Sequence, residues 1–154
     1  MLDNCTIEER WSGVNELIDR WLQARQTIIV QFCSLSGVHE LRANADPSNI
    51  HLQKFCELLM DYISAGHFEV YYQLIREAEA FQDGSANIAK ALMPRITATT
   101  EAAMDFNDRY LDARGNMENL PKCLSKLGET MAARFELEDQ LIDTLHDSHR
   151  EQVA

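Results

Sequence analysis

Residues 6–35 read TIEERWSGVNELIDRWLQARQTIIVQFCSL, and their apolar positions decide the fold class. Trp11, Val14, Leu17, Ile18, Trp21, Leu22, Ile28, Ile29 and Phe32 recur at steps of three and four, the period of an α-helix. Thr6 followed by Glu9 has the form of a capping box, and Gly37 is expected to end the helix. The apolar face spans about 160°, from Leu17 and Leu35 round to Leu22 and Cys33, wider than one bundle seam needs. Such a face either packs two neighbours or leaves Trp11 or Leu22 available outside.

The same period continues downstream. After turn formers at Asn44-Ala45-Asp46-Pro47-Ser48, a second pattern runs from about Ser48 to Phe81 on Leu52, Phe55, Cys56, Leu59, Ile63, Val70 and Leu74. Its weak point is Ser64-Ala65-Gly66, where a kink is expected. Asp83-Gly84-Ser85 separates it from a third pattern on Ile88, Leu92, Ile96, Thr99, Ala103, Phe106 and Tyr110, which Pro94 should bend or interrupt and Gly115-Asn116 should close. The fourth runs from about Met117 to Arg150 on Leu120, Leu124, Leu127, Met131, Leu141 and Leu145, with Pro121 in its first turn, where a missing N–H does no harm. No alternating strand pattern and no internal repeat interrupts this series. The expected fold is all-α: one domain over residues 1–154, an antiparallel up-down four-helix bundle of helices about 30 residues long.

Composition agrees with that reading and narrows the function. Only six Gly and three Pro are available for turns in 154 residues, so long helices with few connections are expected. The formal net charge is −11, which argues against direct nucleic-acid binding and favours a basic partner. The excess is spread over the chain, with six basic and eleven acidic side chains in residues 1–77 and eight and fourteen in residues 78–154. No apolar run approaches the roughly 18 residues of a membrane span, and Met1-Leu2-Asp3-Asn4-Cys5-Thr6 lacks the basic start of a secretory signal. A cytoplasmic protein with no membrane partner is therefore expected. Cys5, Cys33, Cys56 and Cys123 form no CxxC pair, so reduced thiols are expected in place of a zinc knuckle or redox dithiol.

Polar residues fall inside the pattern. The steps of the last helix continue from Met131 through Arg134 and Glu138 to Leu141, which places both charged residues on the core seam, four apart and able to pair. In the second helix His67 lies between Ile63 and Val70, with Tyr71 one turn on, and should also face inward. His67, Tyr71, Arg134 and Glu138 are assigned to a structural polar core. The competing reading is a metal site, because four-helix bundles build di-iron centres from inward-facing Glu and His. Arg134-Phe135-Glu136-Leu137-Glu138-Asp139 is similar to the hemerythrin-type His-Phe-x-x-Glu-Glu, but arginine replaces the histidine, removing a ligand and installing a cation. His39 and His51 flank a predicted loop, and His146 and His149 sit in the last turns, where they oppose the helix dipole. No metal, cofactor or catalytic residue is assigned; no nucleophile elbow, phosphate-binding glycine loop or Cys-His arrangement is present, and an enzyme is not expected.

Other residues fall outside it. At 100° per residue, Asp61, Ala65, Phe68 and Tyr72 lie within about 40° of one another, opposite the core positions of the second helix. An acid flanked by aromatics is suited to a protein interface, unless the helix is covered on both sides and Phe68 and Tyr72 are core. On the last helix Glu136, Asp139, Asp143 and Asp147 follow at steps of three, four and four, with no Lys or Arg from 135 to 149. That acidic ridge is either a solvated face or a docking surface for a basic partner.

Three segments carry a resemblance. Ile18-Asp19-Arg20-Trp21-Leu22, Asp61-Tyr62-Ile63-Ser64-Ala65-Gly66-His67-Phe68-Glu69-Val70-Tyr71 and Ala133-Arg134-Phe135-Glu136-Leu137-Glu138-Asp139 resemble the Rsd/AlgQ family of bacterial anti-sigma factors, regulators of sigma D, nearest the AlgQ branch. The resemblance covers nearly the whole chain. It implies a helical protein that binds the primary sigma factor through its C-terminal promoter-reading domain, region 4, and so keeps sigma from promoter DNA and from core RNA polymerase. Within that frame Asp61, Ala65, Phe68 and Tyr72 form the expected contact stripe, Glu136, Asp139 and Asp143 give electrostatic support, and Leu22 is a further contact. A hemerythrin-like bundle, or an adaptor that binds metabolic or stringent-response regulators, is the alternative. The only feature bearing on a homo-oligomer is the width of the first helix's face.

Overall fold

A computed structural model of the protein describes residues 7–41, 46–111 and 117–149. Helix α1 (Ile7–Leu41) is followed by α2 (Asp46–Ala65), a π-helical turn (Gly66–Val70) and α3 (Tyr71–Phe81), which follow one another without a gap as a single rod. Helix α4 (Ser85–Tyr110) and α5 (Leu120–Leu145) complete the series, α5 being flanked by 3-10 turns at Met117–Asn119 and Asp147–His149. The described residues thus form four helical rods and no strand.

Cross-helix contacts fix the directions. Going up α1, Trp21 stacks on Tyr62 and Phe32 meets Phe55, so the second rod descends. Going up α4, Thr100 meets His67 and Asn107 meets Cys56. Along α5, Cys123 lies beside Arg109, Arg134 reaches Thr99, and Glu138 and His146 meet Arg25 and Trp11 of α1. Each neighbouring pair is antiparallel, which is the up-down bundle that the periodicity predicts.

The core follows the spacing closely. Val14, Leu17, Ile18, Trp21 and Ile28 of α1 are buried, as are Leu52, Phe55, Cys56, Leu59, Ile63, Val70 and Leu74 of the second rod. All six apolar positions expected of α5 are buried too. The wide face of α1 packs two neighbours, the second rod and α5. Trp11 stacks on His146 and Leu22 lies half-buried against the core, so neither is left outside.

Three expectations change and two are refined. Helix α1 runs through Gly37 to Leu41, because one glycine costs a helix only about 1 kcal/mol and does not by itself stop it. Helix α4 passes through Pro94 uninterrupted, with Ala89 before it and Ile96 after it both anchored in the core. Ile88 is 51% exposed, and Ala86 and Ala89 take the inward places at that end of α4. Helix α2 begins at Asp46, before Ser48, so Pro47 falls in its first turn. The weak point at Ser64-Ala65-Gly66 becomes a π turn, with the rod continuing into α3. Gly66 permits it: a Cβ there would stand 3.1 Å from Tyr71 Oη and 3.3 Å from Trp21 Cζ2. The rod ends at Gln82 and Gly84, both with positive φ, and the Asp83 carboxylate accepts the Ser85 N–H at 3.0 Å. Thr6, Cys5, Gly115 and Asn116 lie outside the described residues.

Candidate functional site

A charged network runs through the middle of the bundle with Glu138 at its centre. Helix α5 projects Arg134 and Glu138 onto one seam, four residues apart, and both are 0% exposed. Glu138 Oε1 accepts the Tyr62 hydroxyl at 2.5 Å and Arg25 Nη2 at 3.2 Å. Its Oε2 accepts the Tyr71 hydroxyl at 2.5 Å and Arg134 Nε at 3.1 Å. Arg134 also donates to Thr99 at 3.2 Å, Thr100 at 2.6 Å and the Tyr71 oxygen at 2.9 Å. Arg25 enters from α1, donating to Tyr62 at 3.0 Å and to Asp139 at 2.6 Å. The two wholly buried charges, Arg134 and Glu138, thus pair with each other, while Arg25 at the edge reaches from Glu138 out to the exposed Asp139.

The titration directions follow from this arrangement. Burial and then the Glu138 charge push the Tyr62 and Tyr71 hydroxyls well above the usual tyrosine range, so both serve as donors. Burial opposes the Arg25 charge, but Tyr62, Asp139 and Glu138 outweigh it and hold the guanidinium above its ordinary value. At the edge of the network His67 Nε2 lies 2.7 Å from Thr100 Oγ1, and its ring meets Tyr71 edge-on. Burial and then the nearby Arg134 charge lower the His67 pKa. His67 is half-buried, not fully inward.

Tyr71, Arg134 and Glu138 are thus bonded to one another in the core, and His67 joins them at its edge through Thr100. Four donors already occupy both Glu138 oxygens, and the Arg134 guanidinium fills the place of the histidine in the hemerythrin-type pattern. Among the described residues no group of three His, Cys, Asp or Glu is arranged to hold a metal ion. Cys33 is exposed, Cys123 half-buried and Cys56 buried, all free thiols. Burial, and then Glu57, pushes the Cys56 thiol up to about 12.

A second polar cluster escaped the sequence reading. His146 and His149 follow the end of α5 and are both buried. His146 Nδ1 lies 2.9 and 3.0 Å from the Glu77 oxygens, its Nε2 is 3.1 Å from Asn15 Oδ1, and its ring stacks on Trp11 at 4.2 Å. His149 Nε2 lies 2.6 Å from Asp83, its Nδ1 donates to the Leu145 carbonyl, and its ring stacks on Phe81. The Ser85 and His149 hydrogen bonds hold the Asp83 carboxyl well below the usual carboxylate range. These histidines clip the end of α5 to α1 and to the end of α3, a tertiary role beyond opposing a helix dipole.

On the outside, a groove of about 450 Å³ lies between α1 and the second rod. Trp21, Leu58, Ala65 and Val70 give it an apolar floor, Arg20 stands on the α1 wall, and Asp61 and Glu69 stand on the other. Among the described residues neither Asp61 nor Glu69 has an ion-pair partner. Phe68 is 84% exposed and Tyr72 50%, which settles that they are not core. The Arg76 guanidinium lies 5.8 Å from the Tyr72 ring centre. The structure brings Asp61 and Ala65 together in the groove, but Phe68 and Tyr72 do not line it. Glu136, Asp139, Asp143 and Asp147 are all exposed, as a ridge requires. Arg25 neutralises part of that ridge through Asp139.

The described residues form an all-helical bundle with a buried polar network and, on its surface, a groove lined by the carboxylates of Asp61 and Glu69. Residues 1–146 match the family model described as "Regulator of RNA polymerase sigma(70) subunit, Rsd/AlgQ", and the chain belongs to that family. It is 35% identical over 147 residues to a Regulator of sigma D of Yersinia pseudotuberculosis serotype O:1b (strain IP 31758), covering 93% of this chain and 87% of the relative. A Regulator of sigma D of Shigella boydii serotype 4 (strain Sb227) is 37% identical over 155 residues, covering 97% and 94%. No solved structure matches the chain. No helix among the described residues is long and apolar enough to cross a membrane.

Proposed function

We propose that this protein binds the C-terminal promoter-reading domain, region 4, of the primary sigma factor and masks it sterically from promoter DNA and core RNA polymerase. Such a domain reads DNA with a basic helix-turn-helix, and a chain of net charge −11 offers the complementary field. The observation that carries the proposal is Asp61: an exposed carboxylate without an ion-pair partner, on the wall of a groove floored by Trp21, Ala65 and Val70. Phe68 and Tyr72 supply exposed aromatic area on the same rod, and Glu136, Asp139 and Asp143 extend the negative field. The expected interface covers about 800 Å² on each partner. The action is stoichiometric, takes place in the cytoplasm where polymerase works, and involves no cofactor and no direct contact with nucleic acid.

Asp61→Arg places a cation where a basic surface should dock. Sigma binding should fall by at least about tenfold, while helix content and melting stay at the wild-type values, because Asp61 makes no hydrogen bond or ion pair among the described residues. Wild-type affinity in that variant would remove Asp61 from the proposal. The exposed Phe68 and Tyr72, standing apart from the groove, also suit an additional protein partner, the adaptor role.

A further inference from the structure

In an uninterrupted α-helix Asp61, Ala65, Phe68 and Tyr72 share one stripe, and residue 69 lies about 80° from residue 61. The π turn at Gly66–Val70 alters that phase. Each of its residues advances roughly 15° less than an α-helical residue, so by residue 69 the helix has lost about 60°. Glu69 is thereby brought to within about 20° of Asp61, while Phe68 and Tyr72 swing to the far side of the stripe by about 60°. The lining of the groove agrees: Asp61, Ala65 and Glu69 all line it, and neither aromatic does.

We infer that Glu69 is a second partner-contacting acid, set in line with Asp61 by the π turn, and that the groove takes an amphipathic partner helix with two basic side chains seven or eight residues apart. This rests on the reading that the chain binds sigma through Asp61. Eight residues separate the two acids, about 12 Å along the axis, the span of basic side chains at i and i+7 or i+8 on a facing helix. Between them lies Ala65, small enough to admit an apolar side chain onto the Trp21 and Val70 floor. Arg20 is the one cation among the lining residues and stands on the opposite wall, where an acidic side chain of the same partner helix would meet it. Among the described residues Glu69 makes no bond that would account for its place structurally.

The test is binding of the isolated C-terminal domain of the primary sigma factor to the full-length chain and its variants, at several salt concentrations. Glu69→Arg should weaken binding by about tenfold and Glu69→Gln by about threefold, with a flatter salt dependence in both and unchanged melting. Phe68→Ala should cost less than Glu69→Arg. If Asp61→Arg weakens binding and Glu69→Arg leaves it within about twofold, the inference is wrong and the Asp61 reading stands. If neither variant changes binding, the Asp61 reading itself fails. A larger loss for Phe68→Ala than for Glu69→Arg would put the partner on the aromatic side of the rod and overturn the inference.

Discussion

Replacing Arg134 by Met removes four hydrogen bonds from the centre of the bundle, to Glu138, Thr99, Thr100 and Tyr71. Glu138 keeps Arg25, Tyr62 and Tyr71, but Arg25 also serves Asp139, so the buried carboxylate loses its one dedicated cation. Breaking a buried pair from one side costs about 3–5 kcal/mol, since the remaining charge is left in a medium that solvates it poorly. Methionine recovers part of the packing but none of the charge balance. We expect a loss near the lower limit, about 3 kcal/mol, because Arg25 still shields one oxygen. For a chain of this size that is a fall in melting temperature of roughly 10 °C. Urea unfolding followed by far-UV circular dichroism, at unchanged m value, measures it directly. Glu138→Gln on the same background separates charge from packing. Each single variant leaves a charge uncompensated and the double variant leaves none there, so the pair should cost about 2 kcal/mol less than the sum of the singles. A cost below about 1 kcal/mol for Arg134→Met, or additivity of the two, would refute the view that this network is a charge-balanced core.

Gly66→Ala should destabilise the protein by about 1–3 kcal/mol, since Tyr71 and Trp21, both buried and bonded, stand in the way of the new methyl group; thermal melting checks it. His67 gives a pH dependence: its pKa is lowered in the folded protein, so the unfolded chain binds the proton first. Its contribution is complete above the ordinary value of 6.5 and is lost as pH falls through the lowered folded value. Urea titrations between neutral and mildly acidic pH should show that decline, and His67→Gln should remove it. Asp139→Asn with Asp143→Asn should slow association with sigma at low salt and leave dissociation nearly unchanged; an unchanged association rate would make the ridge a solvated face.

What the sequence revealed, and what it hid, follow from range. The steps 131, 134, 138 and 141 lie within one helix, so local periodicity places Arg134 and Glu138 on the seam, and the pairing follows from spacing alone. Tyr62 and Arg25 were missed as their partners because both sit beside the apolar stripe and reach the core by the length of their side chains. The π turn was hidden in another way: periodicity marks Gly66 as weak but does not say whether the helix breaks, bends or absorbs an extra residue. That single ambiguity left Glu69 out of the Asp61 stripe and joined Phe68 and Tyr72 to it. The clip made by His146 and His149 joins three helix ends that lie far apart in sequence, and no pattern within one helix records it. The acidity and its two locations, at Asp61 and along the ridge from Glu136, were legible, but which acids are paired was not, since only the packed structure separates Asp139, held by Arg25, from Asp61, which has no such partner among the described residues.

If the proposed masking holds, this chain occupies the DNA-reading surface of sigma. Equilibrium binding of the full-length chain to the isolated C-terminal domain of the primary sigma factor, with promoter DNA of the element that domain reads as competitor, tests it most directly. The expected result is a one-to-one complex that weakens as salt rises and excludes the DNA. A ternary complex of all three, or no binding to the isolated domain, would contradict it.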